Sequence, residues 1–138
     1  MKAIVCKAYG PPENLVLEEI DDPVAAENEA IVQIYSASLN FPDGLQIQGK
    51  YQFQPPMPFT PGSEVGGIIT SVGAGIRGFA VGDRVMATPG IGGLAEQVAV
   101  KADGLRKIPD SMDFKTAAGF AMIYTTSYYA LKQRAQLQ

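Results

Sequence analysis

From Lys2 to Ile108 the apolar residues recur in short runs with a period near two, the spacing of strands with one buried face. Lys2 to Tyr9 (KAIVCKAY) reads as a first strand closed by Gly10, Pro11 and Pro12. Leu15 to Ile20 (LVLEEI) is a second, stopped by Asp21, Asp22 and Pro23. Glu29 to Leu39 alternates most clearly, with Ala30, Val32 and Ile34 on one face and Ile31, Gln33 and Tyr35 on the other. In Ser63 to Val72 the pair Gly66 and Gly67 signals a bulge or a close backbone approach. Gly82 to Met86, Leu94 to Val100 and Leu105 to Ile108 complete a series of short strands separated by turn signals. That series predicts a mainly β chain folded as a barrel or sandwich.

Between the third and fourth strands the alternation stops. Asn40 to Gly67 (NFPDGLQIQGKYQFQPPMPFTPGSEVGG) is rich in proline and glycine, which hold a long connection in few conformations, as a binding surface requires. The stretch reads as too irregular for core architecture. Asn40 caps a turn or short helix, with Pro42 near its first position and Gly49 at its end. After Asp113 the period becomes helical, with Asp113 as N-cap and Phe114, Ala117, Ala118, Ala121 and Met122 at helical spacing. Gly119 and the β-branched run Ile123 to Thr126 divide this segment into two helical pieces, and the polar end KQRAQLQ carries no cap signal.

A length of 138 residues suits one soluble domain with a single core. A net charge of -3 without a Lys/Arg cluster argues against nucleic acid as a partner. No apolar run approaches the ~20 residues of a membrane span, and the N-terminus is too short and polar for a signal peptide, so a cytoplasmic protein without membrane attachment is expected. With no histidine and one cysteine, the chain lacks the donor set that zinc demands, and a Ser/His/Asp or Cys/His relay lacks its imidazole. Tyrosine, lysine and carboxylates remain for proton transfer. Cys6 reads as a small buried hydrophobe.

Gly73, Gly75 and Gly78 match GxGxxG and follow a strand, but the helix of a dinucleotide-binding turn is missing, because Phe79, Ala80 and Val81 run into Gly82, Asp83 and another strand. The segment reads as a Gly-rich connection between barrel strands.

The chain resembles the N-terminal, GroES-like half of the medium-chain dehydrogenase/reductases, in their zinc-independent quinone oxidoreductase branch. The resemblance rests on MKAIVCKAYGPPENLVLEE, NFPDGLQIQGKY, PGSEVGGIITSVGAGI, GFAVGDRVMA, GGLAEQVAV, IPDSMDFKTAA and TTSYYALKQRAQLQ, all in family order. Where the zinc enzymes of that superfamily place a ligand cysteine this chain has Asn40, and where they read GHE it has Gly62, Ser63 and Glu64. The cysteine-rich lobe expected after GDRV is replaced by Pro89 to Gly93. The resemblance implies a GroES-like, partly open β-barrel over residues 1–138 with a C-terminal helical segment, excised from a longer enzyme. The nucleotide-binding Rossmann domain lies outside this chain, and the fragment alone is inactive. As implied, the whole protein, a homodimer, uses NADPH and no zinc to reduce a quinone or conjugated carbonyl by hydride transfer. Two alternatives stay open: a 2-enoyl thioester reductase, and a stand-alone GroES-like protein-binding module without redox activity.

On that resemblance Tyr51 is the proton donor, or else an aromatic wall of the pocket. Asn40 faces the nicotinamide, a role compatible with helix capping, and Thr126 bonds near the nicotinamide amide, with Thr125 as the fallback. Asp43 and Glu64 organise the pocket, with Arg84 as one possible partner. Phe41, Phe53 and Phe59 serve packing, or one of them shapes an apolar mouth. A C-terminal helix normally covered by a partner domain is expected to show apolar surface at Tyr124, Tyr128, Leu131 and Leu137.

Overall fold

A computed structural model describes residues 1–138. Five antiparallel strands form one sheet in the order β6-β3-β4-β5-β7: β3 (Glu29–Ser38), β4 (Glu64–Val72), β5 (Arg84–Ala87), β6 (Gln97–Lys101) and β7 (Leu105–Lys107). β1 (Lys2–Val5) and β2 (Val16–Glu19) pair as a separate antiparallel ribbon, tied to the rest by single bridges at Ala3–Ala95 and Cys6–Phe59. The strand order forces curvature. β6 and β7 are the two edges, yet only the 3-10 turn Ala102–Gly104 joins them. A flat five-stranded sheet would separate its edges by about 19 Å, whereas the four residue steps from Lys101 to Leu105 reach at most about 14 Å. The sheet is therefore curled into a half-barrel.

Inside the curl, one face of every strand contributes to a single core: Ala30 and Val32, Val65 and Ile69, Val85 and Ala87, Val98 and Val100, and Leu105. Each fully buried valine, leucine or isoleucine is worth about 1.5–3 kcal/mol. The alternation read in β3 is only partial: Val32 faces the core and Tyr35 is exposed, but Ile31 is buried on the opposite face as well. Its register slips between Ile34 and Ser36, so Tyr35 is the extra residue of a bulge opposite Gly66 and Gly67. The glycine pair thus marks close approach, while the bulge opposite it lies on the partner strand and a second register shift leaves Thr70 of β4 unpaired, three residues beyond Gly67. A Cβ on Gly67 would stand 2.1 Å from the Gln33 carbonyl, and one on Gly66 2.6 Å from the Phe114 carbonyl.

The expected strands are present, though shorter: the first stops at Val5, and the sixth begins at Gln97 rather than Leu94. One expectation is overturned. The irregular stretch from Asn40 to Gly67 carries core of its own, since Ile47 and Phe59 close with Cys6 into a second buried cluster backed by Leu15, Met57 and Ile91. Burial pushes the Cys6 thiol pKa upward, disfavouring the thiolate. The glycine run also serves packing, with Gly73 N–H donating to the Glu29 carbonyl at 2.8 Å and Gly75 N–H to that of Glu27 at 2.7 Å. Side chains at Gly73 and Gly75 would collide with Ala26, Glu27 and Asn28, and no helix follows.

α1 (Phe41–Ile47) starts at Asn40 and is followed by Gly49 in the left-handed region (φ 68°). α2 (Phe114–Ala118) is capped by Asp113, whose side chain accepts from Thr116 N–H at 2.7 Å, and it lies on the outer face of β3 and β4 where Gly66 leaves room. The helical segment breaks at Gly119 alone. α3 (Ala121–Tyr128) runs unbroken through Ile123 to Thr126 and widens into a π-helical turn, Tyr129–Arg134. Its end is closed by Gln136 in a left-handed conformation (φ 52°), with Leu137 N–H donating to the Leu131 carbonyl. Tyr124, Tyr128, Leu131 and Leu137 are all exposed, as expected for a helix that the half-barrel does not cover. No helix is long and apolar enough to cross a membrane.

Gly67→Ala is expected to lower unfolding stability by about 1–3 kcal/mol, because the clash is with backbone that cannot swing aside. Gly44→Ala, in α1 with nothing within 4 Å of the added Cβ, is expected to raise it by up to about 1 kcal/mol; urea titration reads both. Asp83 is held below the ordinary carboxylate range by its hydrogen bond to Lys107, helped by the Ala80 N–H. A folded-state pKa below the unfolded value adds stability that is present at neutral pH and lost as pH falls through it. Asp83→Asn should therefore flatten the fall of Tm on the acid side, below about pH 4.

Candidate functional site

Glu64, the first residue of β4, has no solvent exposure. A carboxylate in that position must be fully hydrogen-bonded to be tolerated. Its Oε2 accepts from the Ser38 hydroxyl at 2.9 Å and from the Asn40 side-chain amide at 3.3 Å. The opposite oxygen, Oε1, accepts from the Met122 backbone N–H at 3.0 Å. Ser38 is directly opposite Glu64 in the β3–β4 ladder, and Asn40, two residues on, keeps to the same side of extended chain. The Asn40 amide also donates to the Ser38 hydroxyl at 2.9 Å, so three side chains form one closed group.

Met122 lies in the first turn of α3, where Phe120 offers no side-chain cap. The N–H groups of that turn have no partner within the helix, and an anion there is favoured by the helix dipole. Glu64 thus caps α3 from across the fold, fixing the helix to the end of β3 and the start of α1. Asn40 is locked a second time by its backbone N–H, which donates to Asp43 Oδ2 at 2.7 Å. Arg84 is not the partner of either carboxylate. Its guanidinium donates to the carbonyls of Asp110 at 2.7 Å and Met112 at 2.7 Å and lies 4.7 Å from the centre of the Phe114 ring. That position staples the loop before α2; Glu64 is balanced by neutral donors instead.

Beside this group lies a cleft of about 510 Å³, with apolar walls from Ile4, Leu15, Ile47 and Leu94, and with Asn40 and Asp43 as its polar part. Gly44 leaves the α1 side of the cleft open. Leu39 and Phe41, on either side of Asn40, are 75% and 80% exposed, so the neighbourhood of the cleft is apolar. Phe53 is exposed as well, while Phe59 is pure packing.

Asn40 borders the cleft, whereas neither Thr126, on α3, nor Tyr51, in the loop after α1, lines it. Thr126 is exposed in α3, four residues beyond Met122. The Thr125 hydroxyl bonds back to the Ala121 carbonyl, which makes it the kink-type threonine and Thr126 the one outside that bond. Tyr51 is half-buried in the loop after α1 and does not line the cleft. Ser38 and the Met122 amide escaped the sequence reading. Ser38 was detectable from its two-residue spacing to Asn40, whereas nothing local announces a backbone amide paired 58 residues away.

No group of three or more His, Cys, Asp or Glu side chains comes together. The one thiol is buried in the second cluster, away from Asn40, so the donor set around Asn40, Ser63 and Glu64 does not fit a zinc ion. For a nicotinamide cofactor the fit is divided. Asn40 offers an amide at the cleft and Thr126 an exposed hydroxyl on α3, while the Gly73–Gly78 loop is packed on Ala26–Glu29 and offers no phosphate cradle.

A curled antiparallel half-barrel with a helix-bearing connection between its two longest strands is a GroES-like domain. Residues 26–110 match the alcohol dehydrogenase GroES-like domain, and the chain belongs to that family within the medium-chain dehydrogenase/reductase superfamily, its homologues being quinone oxidoreductases. The chain is 39% identical to a quinone oxidoreductase-like protein 2 homolog of Nematostella vectensis, over 99% of this chain and 38% of that protein. Human synaptic vesicle membrane protein VAT-1 homolog-like protein superposes at a TM-score of 0.96 with 34% identity, over 100% of this chain and 44% of the other. Quinone oxidoreductase from Thermus thermophilus, also solved in complex with NADPH, superposes at 0.85 with 36% identity, over 100% and 42%. The chain spans about two-fifths of the length of these proteins.

Glu64→Ala is expected to cost about 2–3 kcal/mol, since it strands the donors of Asn40 and Met122. Glu64→Gln should cost less. In both, amide exchange at Met122 should accelerate while that of β5 changes little, which NMR-detected hydrogen exchange measures.

Proposed function

We propose that this chain is the GroES-like portion of a longer, zinc-independent oxidoreductase that reduces a quinone or a related conjugated carbonyl with NADPH. The observation that carries the reading is the Asn40 amide, held by buried Glu64 at an apolar cleft and tied through Met122 to the helix bearing Thr126. Such a site suits an uncharged, flat, apolar acceptor flanked by groups that bond to amides and carbonyls. NADPH, when bound, supplies the hydride. The chain's own residues would orient it: Asn40 would supply the amide facing the nicotinamide and Thr126 the hydroxyl at its carboxamide, while Leu39 and Phe41 add exposed apolar surface beside the cleft. Tyr51, which lies outside the cleft, serves either as donor of the proton that joins the reduced oxygen, a phenol being a neutral donor at physiological pH, or as an aromatic wall with solvent as the proton source. The nucleotide-binding domain belongs to the part of the protein beyond these residues, by analogy with relatives more than twice as long. A homodimeric whole enzyme is part of the same proposal, carried by the family resemblance alone.

The test begins with the native polypeptide purified from its source. A chain of more than twice 138 residues that oxidises NADPH on adding 1,4-naphthoquinone, with no zinc in elemental analysis, is the expected result. A native chain of this length, or no turnover with quinones or enones, would sink the reading and leave a protein-binding module. In the active protein, Tyr51→Phe should lower kcat about 10²-fold or more, with little change in KM. An unchanged kcat would make Tyr51 a wall of the pocket, with solvent as the proton source.

A further inference from the structure

Of the 15 glycines in the chain, Gly44 alone has neither a conformational nor a steric reason to be glycine. The others hold a positive φ or stand within 4 Å of atoms that an added Cβ would meet, whereas a Cβ on Gly44 would meet nothing in that range. Gly44 is also the fourth of the seven residues of α1, an interior position where glycine is among the least favoured residues. The helix thus carries a residue that weakens it and relieves no clash. What the missing side chain leaves is space in the cleft. Asn40, Asp43, Gly44 and Ile47 follow the spacing of one helix face, and all four line the cleft of about 510 Å³. Cα–Cβ bonds of a helix tilt towards its N-terminus, so a side chain at position 44 would lie over the turn that begins at Asn40. The walls from other elements are apolar, with Ile4, Leu15 and Leu94. Asp43 is the one ionisable residue of the lining, and its carboxylate is buried, with Oδ2 on the Asn40 N–H and Oδ1 sealed from solvent without a donor from the protein. No charge therefore faces the cleft.

We propose that Gly44 determines the size of ligand that the cleft admits: its absent side chain leaves room beside Asn40 for the second ring of an uncharged, fused two-ring carbonyl compound, which the cleft takes in preference to a single ring. The inference deepens the oxidoreductase reading and rests on it for the ligand's identity as an acceptor of the naphthoquinone type. A cleft of about 510 Å³ is of the size that small-molecule sites have. A side chain at position 44 acts by excluded volume, taking the space of the second ring and leaving the space among Ile4, Leu15 and Leu94 for the first. Helix stability and ligand size are therefore opposed at this position, since any substitution that strengthens α1 narrows the cleft.

Binding to the 138-residue chain tests the proposal without turnover. Acetophenone and 2-acetylnaphthalene carry the same acetyl group on one ring and on two, and NMR shifts of the Asp43 and Ile47 amides follow the binding of each. The wild type should bind the two-ring ketone about tenfold more tightly. Since a larger ring system favours any apolar site, the decisive quantity is how that ratio changes with residue 44. Gly44→Ala should lower it about threefold while raising Tm. Gly44→Leu should bring it to about one or below, with the affinity for acetophenone within about twofold of the wild type. No binding of either ketone by the wild type, an unchanged ratio in either variant, or an equal loss of both ketones in Gly44→Leu would each overturn the proposal. Should Gly44→Leu fail to fold, the wild type and the more stable Gly44→Ala still decide. Quinone reduction by the native protein together with a ratio independent of residue 44 would defeat this inference alone; the expected ratios in a protein that reduces no quinone or enone would defeat the redox reading alone.

Discussion

A carboxylate with no access to water sits where three parts of this chain meet, and the rest of the site depends on how its charge is satisfied. Glu64 accepts from the last residue of β3, from the cap of α1 and from the first turn of α3. None of the three donors is charged, so each must be held at hydrogen-bond distance for the carboxylate to remain buried at acceptable cost. The constraint works in both directions. Because the donors are needed by Glu64, the Asn40 amide has a fixed orientation, and because α3 lacks a local cap, the same carboxylate decides where that helix begins.

Curvature of the sheet makes this meeting possible. The short link between the edge strands bends five strands into a half-barrel, which brings the ends of β3 and β4 beneath α2 and the start of α3. Gly66 and Gly67 then take two close approaches on opposite sides of one strand: α2 packs against the first, and the bulged β3 backbone against the second. Side chains at either position would lift a layer away and move Glu64, two or three residues earlier, out of reach of Met122.

The long connection between β3 and β4 combines two demands that usually separate. Ile47 and Phe59 anchor it in a small core with Cys6, while Asn40, Asp43 and Gly44 face an apolar cleft. Anchoring at both ends lets an irregular segment keep a polar group such as Asp43 buried with an oxygen unbonded, a cost that a freely moving loop would relieve by exposing it to water. The exposed apolar residues of α3 are the complementary feature, a helix capped by the domain yet not covered by it.

Much of this was legible in the chain because its causes are local. The period-two runs follow from strand geometry, Asp113 caps α2 through a bond three residues long, Asn40 starts a helix with Pro42 inside it, and Gly73, Gly75 and Gly78 could be rejected as a phosphate turn because a strand follows them. The lack of histidine and the single cysteine already argued against a zinc site or an imidazole relay built from this chain's own residues. Other features had no local cause. That Glu64 would pair with Met122 instead of Arg84, that the bulge would fall at Tyr35 opposite the glycines and not among them, and that Phe59 would be core while Phe41 faces water all depend on which distant segments the curl of the sheet brings together. Sequence alone determined which groups were available for chemistry; tertiary structure decided which of them share a buried space, because desolvation and hydrogen-bond geometry act between neighbours in space and not along the chain.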